Sequence, residues 1–377
     1  MKHRVVAASF AALFAGAAHA QSSVTLYGII DDGISYISNQ GGHSTVKMDS
    51  GIAQSSRWGL KGTEDLGGGL RAVFTLENGF DLNTGIAGQG GSLFGRRAFV
   101  GLSSDTFGTL IAGNDYDFIY DYVTYYTNVT QFAPSYSFHL GNDIDRLAGE
   151  QVHNMVRYET PTVHGFGAGV MYGFSNAAGA FGGSPSSARV LSVGLKYSPT
   201  GSFNAPYSFG AAFTKTDGGN SGPGTGGTIA QVALGAKSIY TAAFGGLVKL
   251  GDFGINGVYT YTNASDSPRG TITANAYEAG LTWQATPYFQ LGAGFAYVDE
   301  RKLGKFDIAS AGLDYRLSKR TDVFTFATYQ HAFAGASVAG NFLAVTPYSM
   351  SPKLPNGVGA SSSRNQTAVQ LGIRHLF

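Results

Sequence analysis

Beyond Ala20 the chain shows no helical period; it alternates apolar residues with small or polar ones in segments of about ten. A period of two is the pattern of strands whose two faces meet different surroundings. Phe166, Ala168, Val170, Tyr172 and Phe174 share one face, opposite Gly167, Gly169, Met171 and Gly173. Tyr277, Ala279, Leu281 and Trp283 oppose Glu278, Gly280, Thr282 and Gln284. The stretches 191–197, 289–297 and 311–317 repeat the pattern.

The residue types say what each face meets. A soluble sandwich would carry packed Leu, Val and Ile on one face and charge on the other. Here the apolar face often ends in Tyr, Trp or Phe, and the opposite face is Gly, Ser, Thr and scattered charge. Aromatic rings with polar tips suit a membrane interface, and a small polar face suits a wet lumen. Lipid cannot satisfy backbone N–H and C=O groups, so strands cross a membrane only as a closed barrel. The fold class expected is therefore all-β, a transmembrane antiparallel barrel.

Connections set its size. Short turns at Glu64-Asp65-Leu66-Gly67, 104–108, 198–202 and 318–322 alternate with longer polar loops. Those loops fall near 38–52, 81–92, 116–151, 176–188, 216–229, 263–273, 301–306 and 332–364. Eight long loops imply about sixteen strands, and a barrel of that size encloses an aqueous channel. The faces of the segment Val323–Gln330 stay unassigned, because its two parities are equally apolar.

The N-terminus reads as an export signal. Lys2 and Arg4 precede an apolar run from Val5 to Ala18, and Ala18-His19-Ala20 fits a signal-peptidase site. The run is shorter than the ~20 residues that a membrane-spanning helix needs. Residues 1–20 are thus expected to be cleaved, leaving 21–377 as one barrel with no linker dividing it. Removing Lys2 and Arg4 leaves 23 basic and 24 acidic residues, which gives no reason to expect a nucleic-acid partner. There are no cysteines, so disulfides and thiol chemistry are excluded.

Several motifs resemble the Gram-negative general-diffusion porins, of the β-proteobacterial kind. They are Val24-Thr25-Leu26-Tyr27-Gly28, Ser56-Arg57-Trp58-Gly59-Leu60-Lys61-Gly62, Glu64-Asp65-Leu66-Gly67 and Gly69-Leu70-Arg71-Ala72-Val73-Phe74. Leu93 to Leu102, Leu317 to Thr321 and the terminus Gly372-Ile373-Arg374-His375-Leu376-Phe377 extend the likeness along the whole mature chain. The resemblance implies a sixteen-stranded homotrimeric outer-membrane porin whose third loop folds inward. It also implies that the terminal strand ending in Phe377 is read by the barrel-assembly machinery. Outer-membrane lipid and lipopolysaccharide would surround the barrel, and small hydrophilic solutes and ions would pass through it. Two residues depart from the family pattern: Asn114, where an Arg is usual, and Asp32, where a small apolar residue is common.

Strand parity points to the channel's charges. Arg57 and Lys61, Arg71, Arg97 and Arg157 each oppose apolar residues of their own segments and so face inward as a basic wall. The inward loop carries Asp117, Asp121, Asp143, Asp145 and Glu150, with Asp115 at its entry. Opposed rows of charge in a narrow neck would set up a transverse field and an ion preference. The plainer reading is that such charges only keep a barrel wet. The loop's Tyr116, Phe118, Tyr120, Tyr122, Tyr125 and Tyr126 could form a sugar track or simply pack the loop to the wall. The resemblance places Asn114 near the neck, whereas parity alternates it outward with Leu110 and Ala112 unless the strand ends or bulges at Gly113; the plainer alternative is that it caps the loop turn away from the ion path. Asp32 and Arg96 fall on outward parity, where a charge in lipid is costly, so they are expected at a trimer seam.

Catalytic and cofactor signals are weak. His43, His139, His153, His164, His331 and His375 show no metal-ligand spacing, and 222–227 fits a Gly-rich phosphate loop by letter only, with no helix after it. No cofactor and no enzyme activity are expected. The function expected is passive diffusion of ions and small hydrophilic solutes. The alternatives are a sugar- or organic-anion-selective channel on the same barrel, and a barrel serving as an adhesin.

Overall fold

The alternating segments pair with their chain neighbours into one antiparallel sheet that closes on itself. The computed structural model describes residues 23–139, 144–219, 228–335 and 361–377. Its strands are β1 (Ser23–Gln40), β2 (His43–Ser50), β3 (Arg57–Gly67), β4 (Leu70–Gly79), β5 (Arg97–Ser104) and β6 (Gly108–Tyr116). They continue as β7 (Gln151–Glu159), β8 (Phe166–Gly173), β9 (Arg189–Tyr197), β10 (Tyr207–Asp217), β11 (Ser238–Leu250) and β12 (Phe253–Ser265). The last are β13 (Ile272–Thr286), β14 (Phe289–Glu300), β15 (Gly304–Arg316), β16 (Thr321–Phe333) and β17 (Asn365–Leu376). β1 closes the barrel on β17, from Ile29↔Leu376 to Ile37↔Ala368.

Seventeen segments make sixteen staves. The lower half of β1 pairs with β3 (Ser23↔Thr63 to Ile29↔Arg57) and its upper half with β2 (Asp32↔Ser50 onward). β2 and β3 are therefore one stave, interrupted where 51–56 leaves the wall. This corrects the expected loop at 38–52: only Gly41 and Gly42 turn, both at positive φ, and β2 follows at once. The expected loop at 301–306 is likewise shorter, since β15 begins at Gly304.

Burial separates the faces. Leu26, Ile34, Val100, Leu102, Leu195, Leu281 and Ile373 are exposed on the outside, whereas Thr214, Thr241, Thr260, Gln330 and Gln370 are buried within. An outer belt of bare aliphatic groups is unfavourable in water at about 25 cal/mol per Å² and favourable in lipid. Aromatic rings ring both ends of the belt. Phe166–Tyr197, Tyr197–Tyr207 and Phe209–Phe244 pack together at one end, and Tyr240–Tyr261, Tyr259–Tyr277 and Tyr277–Tyr297 at the other. β16 resolves its parity by turning Phe324 and Phe326 inward, with Val323, Thr325, Ala327 and Tyr329 outward.

The inward loop, over its described residues 117–139 and 144–150, lies against the inner wall. Its Phe118, Ile119, Tyr122, Val123, Tyr126 and Leu147 form a buried apolar cluster with the wall residues Met155, Met171, Val190 and Leu247. Inward glycines make room for it. A Cβ at Gly194 would collide with Phe118 and Tyr122, and one at Gly210 or Gly312 with the loop's own carbonyl groups at Tyr122 and Phe132. The unusual glycine content, 55 of 377 residues, is thus in part a track for this loop.

Candidate pore constriction

Polar bonds fasten the inward loop at intervals. The Asp117 side chain caps the helical turn Phe118–Tyr122 by accepting from the Tyr120 N–H at 3.0 Å, and the Phe118 N–H donates to Ser192 Oγ of β9. Further along, Asn256 of β12 donates to the Tyr126 carbonyl at 2.9 Å, and the Asn128 N–H donates to the Glu278 carboxylate of β13. Near the tip Ser137 bonds Thr328 of β16 at 2.7 Å, and the Tyr136 hydroxyl donates to Asp49 of β2. The loop is thereby held from β9 across to β2.

At the loop's start the opposite charges are in contact. Arg97 of β5 donates to Asp115 at 2.5 Å and to Asp121 at 2.8 Å. Arg157 of β7 donates to Asp121 at 2.5 Å, approaches Asp115 at 3.4 Å and holds Glu159 at 2.7 Å. Glu159 also meets Lys196 of β9 at 3.3 Å and accepts from the Tyr122 hydroxyl at 2.7 Å. Three cations and three carboxylates therefore interlock. Burial opposes ionisation of Asp121, but the Arg97 and Arg157 guanidiniums outweigh it and hold that carboxyl below its usual range. Burial, with Glu159 adding to it, pushes the Tyr122 phenol well above its usual range.

The residues singled out from the sequence divide into groups. Arg57 and Lys61 face the lumen from β3 and make no ion pair among the described residues; Arg57 donates to the Ser55 carbonyl, and Lys61 sits 5.4 Å from the Tyr27 ring centroid. Arg97, Arg157, Asp115 and Asp121 belong to the interlocked network. Arg71 does not join the neck: it pairs with Asp105 at 2.5 Å at the rim where the short turns lie. Asp117 and Asp145 do not face water either, being 0% and 2% exposed. Asp117 pairs with Arg146, which also reaches Glu150 at 3.1 Å, so these acids hold the loop together. Asp143 lies outside the described residues.

Arg96 corrects the seam expectation. It precedes β5, so strand alternation does not reach it; its side chain turns inward, pairs with Glu77 of β4 at 2.7 Å and is 4% exposed. Asp32 does lie on the outward face, between the exposed Ile30 and Ile34. Asn114 is also corrected. It pairs with Ala98 on the outward face and donates to the Gly95 carbonyl at 3.1 Å, away from the ion path. The irregularity there puts its extra residue in β7, where Asn154 takes φ +53°, opposite Gly113–Asp115. Phe377 completes the closure, exchanging backbone bonds of 3.1 Å with Gly28.

His139 was not legible as a site residue. It is fully buried in the loop, with Nδ1 2.7 Å from Asp145 and Nε2 2.6 Å from Glu278. A neutral ring can donate to only one of them, so a carboxylate on each side favours the doubly protonated form. Burial disfavours that charge, but the two carboxylates outweigh it and raise the pKa to about 10. Both ring nitrogens are engaged, and among the described residues no group of His, Asp and Glu is arranged to hold a metal ion. Glu77, Glu159 and Arg146 were missed for a related reason, since strand parity does not give their partners: Glu77 meets Arg96 beside the start of β5, Glu159 meets Lys196 of β9 and the loop's Tyr122, and Arg146 pairs with Asp117 inside the loop. The buried loop aromatics are packed, not displayed, which removes most of the imagined sugar track.

Comparison with known proteins agrees with this architecture. The family model for Gram-negative porins matches residues 7–333. An outer membrane porin protein of Bordetella pertussis is 32% identical over the full length of both chains, and outer membrane porin protein 32 of Delftia acidovorans is 30% identical over the full length of both. The solved anion-selective porin from Comamonas acidovorans superposes with a TM-score of 0.74 at 25% identity, covering 95% of this chain and 100% of its own. With a closed barrel, a lipid-facing belt and a polar lumen, the chain belongs to the Gram-negative porin family, as an outer-membrane channel for passive diffusion of small hydrophilic solutes and ions.

Proposed function

We propose that the channel is a general one with a mild preference for anions, set by Arg57 and Lys61. The observation that carries this reading is the self-neutralising network: Arg97, Arg157 and Lys196 are each matched by a carboxylate, which leaves the two β3 cations as the cations of that wall without an ion pair among the described residues. Unit charges ~6 Å from a passing ion act with roughly 3 kcal/mol at an effective dielectric near 20, before salt screening. Below the loop, a lumen volume of about 550 Å³ is lined by Lys249, Arg316 and Arg374 but also by Asp252 and Asp314. That mixture favours no single solute.

The wider reading includes a homotrimer with the Asp32 face at its seam, since a carboxylate on the lipid side is costly unless another protomer covers it. It includes cleavage of residues 1–20, recognition of the Phe377 strand by the barrel-assembly machinery, and lipopolysaccharide around the outer belt. The chain acts as a channel and not as a catalyst. The test is the reversal potential in a salt gradient. The double substitution Arg57→Gln/Lys61→Gln should move it toward cations, most clearly at low salt. An unmoved potential in a correctly assembled channel would sink the assignment.

A further inference from the structure

We infer that Asp31 is a positioning residue that sets the channel aperture by holding 51–56 against the tip of the inward loop. This goes beyond ion preference, because it concerns the width of the neck and not its charge.

Asp31 points inward from β1 and is 0% exposed. Its carboxylate accepts three successive backbone N–H groups: Ile52 at 2.8 Å, Ala53 at 3.0 Å and Gln54 at 2.8 Å. Its carbonyl accepts from the Gly51 N–H at 2.8 Å and from Ser56 Oγ at 3.0 Å, while Ser56 Oγ accepts from its N–H at 3.1 Å. One residue thus closes both ends of the excursion that interrupts the second stave. Charge-assisted bonds to N–H groups are among the stronger kind, and three donors without an acceptor would not stay folded inside the barrel.

The far side of the excursion carries the loop. The Ser135 N–H donates to the Ile52 carbonyl at 2.9 Å, and Ser135 Oγ lies 3.4 Å from the Gly51 carbonyl. The Ile52 side chain packs on Phe324 and Phe326, which β16 turns inward against the usual polar lining. Ala53 and Gln54 border the same lumen volume as Gln131, Phe132 and Ala133 of the loop. The aperture edge is therefore made where the excursion and the loop tip meet, and Asp31 is the wall residue that fixes the excursion.

The experiment is single-channel recording and solute exclusion with the full-length protein carrying Asp31→Ala, Asp31→Asn or Ser56→Ala. Removing even one charge-assisted bond should raise the occupancy of enlarged-conductance substates at least about tenfold. Asp31→Ala should also raise the solute exclusion limit. Asp31→Asn should do less, since one amide oxygen still accepts, and Ser56→Ala should loosen the excursion without changing any charge or the reversal potential. A merely structural role would lower thermal stability and leave substates and exclusion limit where they were, and that result in assembled Asp31→Ala overturns the inference. Should Asp31→Ala not assemble, Ser56→Ala decides: raised substate occupancy supports the inference and wild-type occupancy overturns it. An unmoved Arg57→Gln/Lys61→Gln reversal potential would defeat the anion reading and leave this inference standing.

Discussion

Arg157 on β7 and Asp121 on the inward loop meet at 2.5 Å, and the same carboxylate binds Arg97 at 2.8 Å. Charges that would oppose each other across water are instead in contact. Their fields cancel locally, and their main effect is to pin the start of the loop to the wall.

Contact predicts coupling. Arg97→Gln and Asp121→Asn should each lower thermal stability, and the double substitution should cost less than the two together. Contacting residues show interaction energies of about 0.5–3 kcal/mol in such cycles. Strictly additive losses in thermal unfolding would mean that the two charges do not pair.

Asp117→Asn separates anchoring from permeation. The side chain is buried, caps a helical turn and pairs with Arg146. A weakened cap alone costs about 1 kcal/mol. Current noise should rise while the reversal potential stays at the wild-type value. A clear shift toward anions would place Asp117 in the ion path.

The His139 latch should fail in alkali. Its folded pKa is raised from the ordinary value near 6.5 to about 10. A raised pKa contributes stability fully below about 6.5, and that contribution is lost as pH rises through about 10. Single-channel noise recorded from pH 7 to 11 should increase near pH 10 and revert on return. His139→Gln, which cannot carry the charge, should be noisy already at pH 7 and insensitive to this change.

Asn114→Arg tests the corrected placement. On the outward face beside Ala98, the new guanidinium should leave the reversal potential unchanged at low salt. It should weaken the bond to Gly95 and, if that face meets another protomer, lower the native mass. A shift toward anions would return position 114 to the neck.

Much of this protein was legible in the sequence because strand alternation is local. Period two assigned the lumen face to Arg57, Lys61, Arg97 and Arg157 and the lipid face to Leu281 and Trp283, with no knowledge of partners. Where the local rule stopped, the reading stopped with it. Arg96 stands one residue before β5 and turns to Glu77. The apolar Phe324 and Phe326 blurred the parity of β16 because they face Ile52 and not water. The polar alternation of β2 reads as a loop from sequence alone, since its partner is the upper half of β1 alone.

Sequence by itself determined the closed barrel, its stave number and which wall carries the basic residues, since each follows from the order of residues along one strand and the length of each connection. Only the tertiary structure decided which charges remain free. His139 and Glu278 are 139 positions apart, and Arg157 and Asp121 are 36 apart. Whether such groups cancel or face the ion path depends on where the inward loop lies on its glycine track. That placement is fixed by contacts across the barrel, which no periodicity along the chain records.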